Sequence, residues 1–141
     1  MNRFVAVLTV VAALGLGGPV HAEMTMEEVH SAFRTFFAEQ QLCADEMEHS
    51  LAGIEEALPT CMLGATASCE RMDEFLARYS EEGLRCSTEG ERMKQKMERA
   101  PVLEGAMPAD LQAAQVELRS RWAVLIPRYQ AAMQRVKRID R

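Results

Sequence analysis

Few residues of this chain pair in a way that suggests chemistry. Glu27 stands three residues before His30, and Glu46 three before His49. On a helix that spacing sets a carboxylate and an imidazole on one face, as in half of a carboxylate-bridged metal site. Both copies fall on the same helical segment, about 28 Å apart at the helical rise, so they cannot close on one metal. They also flank the apolar seam instead of pointing into it. Solvated surface pairs are the expected outcome. Methionine offers a second chemistry. Met24, Met26 and His30 could gather at the start of the first helix as thioether and imidazole ligands, a donor set suited to copper. Met47, Met72, Met93, Met97 and Met133 instead fall on apolar registers, where packing accounts for them. No resident metal or cofactor is therefore expected, and copper held by Met24, Met26 and His30 is the alternative.

Nucleophilic and phosphate-binding motifs are missing. The chain has no G-x-S-x-G, no H-E-x-x-H and no glycine-rich phosphate loop. The four cysteines are expected to be oxidised, so they supply no nucleophile. An enzyme is not expected.

Those cysteines say most about structure. Cys43 and Cys86 are centred on residue 64.5, and Cys61 and Cys69 on residue 65. Two antiparallel helices folded about that point bring each pair level. Sequential pairing would join residues 18 and 17 apart, roughly 26 Å along a helix. A disulfide needs Cα atoms within about 7 Å. Crossed pairing moves the centres to 56 and 73.5, and the partners miss each other. Nested bridges, Cys43–Cys86 and Cys61–Cys69, are the pairing that fits. The arrangement is similar in outline to the coiled-coil–helix–coiled-coil–helix proteins, which nest bridges across a helical hairpin. It has wider spacing than their C-x₉-C, covers only residues 43 to 86, and implies architecture without function. Zinc is a poor rival, because its ligands usually come in close pairs such as C-x₂-C.

Disulfides call for an oxidising compartment, and the first 22 residues read as a secretory leader. Arg3 is followed by the apolar run Phe4 to Leu16, then by Gly17, Gly18 and Pro19. That run has the length of a leader's apolar region and is too short to span a bilayer. Val20-His21-Ala22 puts small residues at −3 and −1, so cleavage between Ala22 and Glu23 is expected. Removal of residues 1–22 leaves 119, the size of one domain. The expected location is periplasmic or secreted.

Three helical segments must position all of this. Thr25-Met26-Glu27-Glu28 is a capping box. Met26, Val29, Phe33, Phe36, Cys43, Met47, Leu51, Ile54 and Leu58 then recur at helical spacing, with Gln40 filling a gap. Phe36 and Phe37 are adjacent, so one of them is expected to be exposed. Pro59 is expected to end this helix, and Thr60 to Ala67 to turn, with Gly64 at the centre and Ser68 or Thr66 as the next cap. The second seam is a heptad pattern: Cys69, Met72, Leu76, Tyr79, Gly83, Cys86, Gly90, Met93 and Met97. A second capping box, Thr88-Glu89-Gly90-Glu91, leaves open a break near Ser87. Ala100 to Pro108 reads as a linker. The third helix begins near Pro108, and its face is Leu111, Ala114, Leu118, Trp122, Leu125, Tyr129, Met133, Val136 and Ile139, with a kink expected ahead of Pro127.

The expected fold is all-α: a disulfide-stapled antiparallel hairpin plus a third, kinked helix. The chain divides into a leader (1–22), an acidic hairpin (23–99), a linker (100–108) and a basic helix (109–141) packed on the hairpin. Residues 23–91 hold 16 acids and 4 bases; residues 92–141 hold 5 acids and 11 bases. Opposite charge favours docking of the third helix on the hairpin. The competing use of that charge is an anionic membrane surface met by Arg119, Arg121, Arg128, Arg135, Lys137 and Arg138. Nucleic acid is disfavoured by the acidic balance and the few aromatics. What remains is a small exported helical protein that binds another protein, as a chaperone, an inhibitor or immunity protein, or an envelope assembly subunit. A homodimer would cover apolar faces left bare by poor docking of the third helix.

Overall fold

In a computed structural model that describes residues 24–98 and 107–139, three helices account for the described residues. They are α1 (Met26–Met62), α2 (Thr66–Met97) and α3 (Ala109–Val136). The expected leader and nearly all of the expected linker lie outside the described residues.

The capping box forms as read. The Thr25 backbone N–H donates to Glu28 Oε2 at 2.7 Å, and the Glu28 N–H donates to Thr25 Oγ1 at 3.2 Å. α1 then runs 37 residues. It does not stop at Pro59. Leu58 and Cys61 on its last turns are buried, and their packing holds the helix for one more turn, while Pro59 itself faces solvent. The turn is shorter than expected and pivots on Gly64, whose φ of +88° favours glycine. Ala65 occupies the N-cap of α2 without a side-chain hydrogen bond, so neither Ser68 nor Thr66 caps it.

α2 is unbroken through Gly83 and Gly90. Thr88 does not cap a new helix; its hydroxyl donates to the Leu84 carbonyl at 2.9 Å within the same helix. α3 passes through Pro127 as one helix. Pro127 and Ala123, whose carbonyl lacks its usual donor, both face solvent, where water can satisfy that carbonyl.

The two bridges are nested. Cys43–Cys86 spans 5.9 Å between Cα atoms and Cys61–Cys69 spans 4.6 Å. α1 and α2 are therefore antiparallel. α3 runs parallel to α1, because residues that meet across them keep a near-constant offset: Arg34 with Asp110, Glu48 with Arg121, Glu55 with Arg128, Met62 with Arg135. α1 is the central helix and carries most of both interfaces. α2 and α3 touch through Tyr79 and Tyr129, whose rings stack at 4.2 Å. Burial, and next the neighbouring Tyr129, push the Tyr79 hydroxyl up to about 12.

Packing on two sides widens the buried face of α1 beyond one seam. Ala44, Ser50, Gly53, Ala57 and Cys61 join the expected residues. Phe37, not Phe36, enters the core, because a residue facing both partners must lie between their directions. Gly53 marks the closest approach: a Cβ there would stand 2.5 Å from the Phe75 ring. Gln40 is buried and donates from Nε2 to the Cys86 carbonyl at 3.1 Å, so its amide is satisfied beside the outer bridge.

Two clusters fill the interior. One surrounds both disulfides and holds Met47, Leu51, Ile54, Leu58, Met72, Tyr79 and Leu125. The other, beyond Cys43–Cys86, holds Val29, Phe33, Phe37, Met93, Leu111 and Leu118. Trp122 packs against both.

Candidate partner-binding groove

Beyond the outer bridge, the start of α1 and the end of α2 flank an open groove of about 640 Å³. Its floor is apolar: Met24, Ala32, Phe36 and Met93. Phe36 is here because Phe37 took the core position beside it. Gly90 stands on the α2 seam between groove residues Glu89 and Met93, and a Cβ there would meet nothing within 4 Å.

The rim carries both signs of charge. Glu28, Glu39 and Glu89 stand with Arg92 and Lys96. Glu28 is engaged in the capping box, and Arg92 pairs with Glu89 one turn earlier. Ser31 and Thr35 add hydroxyls on the α1 side.

Of the copper candidates, one lines the groove. Met24 lines the groove, whereas Met26 and His30 are half-buried and do not. No group of three or more His, Cys, Asp and Glu side chains placed to hold a metal occurs among the described residues. His49 lies edge-on to Phe75, with ring centroids 6.1 Å apart.

The basic residues of α3 divide into two sets. Arg121 reaches Asp45 at 2.6 Å, Glu48 at 3.3 Å and the Gln41 side-chain oxygen at 2.7 Å. Arg128 donates to both Glu55 oxygens, at 2.7 and 3.2 Å. Its hydrogen bond to Glu55 raises the Arg128 pKa above the ordinary guanidinium value. These two residues dock α3 on the acidic flank of α1. Arg119, Lys137 and Arg138 are exposed, and Arg135 meets only the Met62 sulfur, at 3.9 Å, among its described contacts.

One row escaped the sequence reading. Arg71, Arg78, Arg85 and Arg92 recur at every seventh residue, and Arg99 continues the spacing. On α2 the first two lie over Phe75, 5.8 and 5.6 Å from its ring centre. The next two pair with Glu82 and Glu89. The row covers Phe75 and then becomes the basic rim of the groove. Counting α2 into the acidic half hid it; the constant spacing was the available signal.

These features define a class: a disulfide-stapled, all-α three-helix bundle with an apolar groove. No family model, curated protein or solved structure matches the chain.

Proposed function

We propose that this is an exported protein that acts by binding another protein, and that the groove of α1 and α2 is where it does so. The observation that carries this reading is the open apolar floor of Met24, Phe36 and Met93 between two helices. Methionine and phenylalanine give an adaptable surface, and a groove between helices suits an amphipathic helical segment. The mixed rim favours a segment with basic residues toward Glu39 and acidic ones toward Arg92 and Lys96. Export is supported by the leader-like residues 1–22 and by four cysteines that are all bridged. A chaperone, an inhibitor or immunity protein, and an envelope assembly subunit all fit this role.

A photo-crosslinking residue placed at Phe36 tests it, with the same residue at Leu84 as control. Leu84 is 70% exposed on the outer face of α2. The expected result, in the native envelope fraction, is a discrete adduct from position 36 and none from position 84. An adduct of twice the chain mass would make the partner a second copy. Equal labelling from both positions, or none from position 36, sinks the reading.

A further inference from the structure

From Ala57 to Cys69 the chain carries 13 consecutive residues without a charge, the longest such run among the described residues of a chain that is 26% charged. The fold makes this run the end of the bundle: the last turns of α1, the turn itself and the start of α2. Leu63 is 87% exposed there and Met62 45%. Ala65 and Ala67 are exposed beside them. The turn cannot fold these side chains away. Gly64 N–H donates to the Cys61 carbonyl at 2.9 Å, Ala65 N–H donates to the Thr60 carbonyl at 3.1 Å, and Cys61–Cys69 closes the base.

A second, independent feature meets this tip. Because α3 runs parallel to α1, it ends at the same place. Arg135 reaches the Met62 sulfur, and Lys137 and Arg138 follow, exposed. The acids nearby are mostly engaged: Glu55 by Arg128 and Glu56 by Arg71. Glu70, and Asp73 and Glu74 further along α2, are the exposed acids on the side away from the three bases. The tip is thus apolar, with exposed bases of α3 along one side.

We propose that this end of the bundle docks on an anionic lipid surface. Leu63 and Met62 enter the headgroup layer, and Arg135, Lys137 and Arg138 meet the phosphates. Lipid headgroups part around an exposed apolar tip without needing a matching surface. Apolar insertion and attraction to anionic lipid add together in such contacts, and long basic side chains reach the headgroups while their stems stay by the apolar residues. Arg121 and Arg128 take no part, since α1 already engages them. The proposal does not rest on the groove, which lies at the opposite end and stays open when the tip is docked.

Sedimentation of the full chain with vesicles of phosphatidylglycerol, and separately of phosphatidylcholine, tests this. The apolar stretch Phe4 to Leu16 can adsorb to either lipid, so the readout is the ratio of anionic to zwitterionic binding. Preference for phosphatidylglycerol is expected, falling toward none at high salt. Lys137→Gln/Arg138→Gln should lower that preference by about fivefold per charge. Leu63→Ser should weaken binding to phosphatidylglycerol roughly tenfold, with the melting curve unchanged because the side chain is exposed. Equal binding to both lipids, or a preference that neither variant alters, overturns the proposal. So does a photo-crosslinking residue placed at Leu63 that gives a discrete protein adduct while Leu63→Ser keeps its vesicle binding, which would make the tip a protein contact.

Discussion

The two ends of this bundle are built on different principles. From Cys43–Cys86 to the turn, α1 and α2 are tied twice, packed closely enough for Gly53 to admit a phenylalanine ring, and flanked by the bonded arginines Arg121 and Arg128. Beyond Cys43–Cys86 no covalent tie follows among the described residues. There the seam position Gly90 is empty, and Phe36 and Met93 line open space. A small helical domain has limited core to spend. Stapling one half lets the other leave apolar surface unfilled without losing the fold. The stapled half supplies stability, and the open half supplies the adaptable groove.

Removing the outer tie should show this most strongly. Cys43 and Cys86 are 2% and 0% exposed, so alanine is the suitable replacement. In the chain-entropy account, a closed loop of 43 residues contributes about 4 kcal/mol, and one of eight about 2.5 kcal/mol. Urea titration of Cys43→Ala/Cys86→Ala should therefore show a larger loss than that of Cys61→Ala/Cys69→Ala. Hydrogen exchange should sharpen the contrast: amides of Val29 to Phe37 should open more readily than those of Leu51 to Leu58. If the two segments are equally protected, the two halves do not differ in the way argued.

Two glycines give the next largest effect, with opposite signs. Gly53→Ala gains helix propensity but drives a methyl into Phe75, and overpacking of this kind costs about 1–3 kcal/mol. A net loss is expected. Gly90→Ala meets nothing, so it should stabilise by roughly 0.5–1 kcal/mol. Thermal melts of the pair would check both signs. An increase in stability at both positions would mean that the stapled half is no more tightly packed than the open one.

These glycines also show what the sequence could and could not disclose. The bridge pairing was legible because a fixed helical rise makes cysteine positions a ruler. The heptad seam of α2 and the face of α3 were legible because each helix meets essentially one partner. α1 was read less well. It packs on two sides, so a single seam chose Phe36 over Phe37 and passed over Gly53 and Ala57, whose small size matters only against a neighbour. Pro59 looked like a stop because local preference was weighed without the burial of Leu58 and Cys61. The groove had no sequence signature: it depends on Phe36 and Met93 lying at one height on different helices. Of Met24, Met26 and His30, Met24 lines the groove.

Docking of α3 offers a smaller test. Arg128→Ala removes a two-oxygen contact with Glu55 in the stapled half. Partly exposed pairs of this kind contribute up to about 1 kcal/mol and weaken with salt. A double-mutant cycle of Arg128→Ala with Glu55→Ala should give a coupling of that size at low salt and less at high salt. A coupling unchanged by salt would show that α3 is held here by the apolar stem of Arg128 and not by its charge.

The smallest effect belongs to the open half. Arg34 donates to Asp110 at 2.8 Å and ties the start of α3 to α1. That hydrogen bond holds the Asp110 carboxyl below its ordinary value and raises Arg34 above its own. A carboxylate whose pKa is lower folded than unfolded contributes stability above its unfolded pKa. The contribution is lost as pH falls through the folded value. Both side chains are more than half exposed, so solvent screens the pair and the loss should be slight. Asp110→Asn should therefore leave the urea midpoint nearly unchanged at neutral pH and remove a small acid-side slope. A drop rivalling that of Arg128→Ala would mean that a surface pair anchors α3 beside the groove as firmly as the bonded arginines anchor it beside the staples, and the contrast between the two ends would then lie in α2 alone.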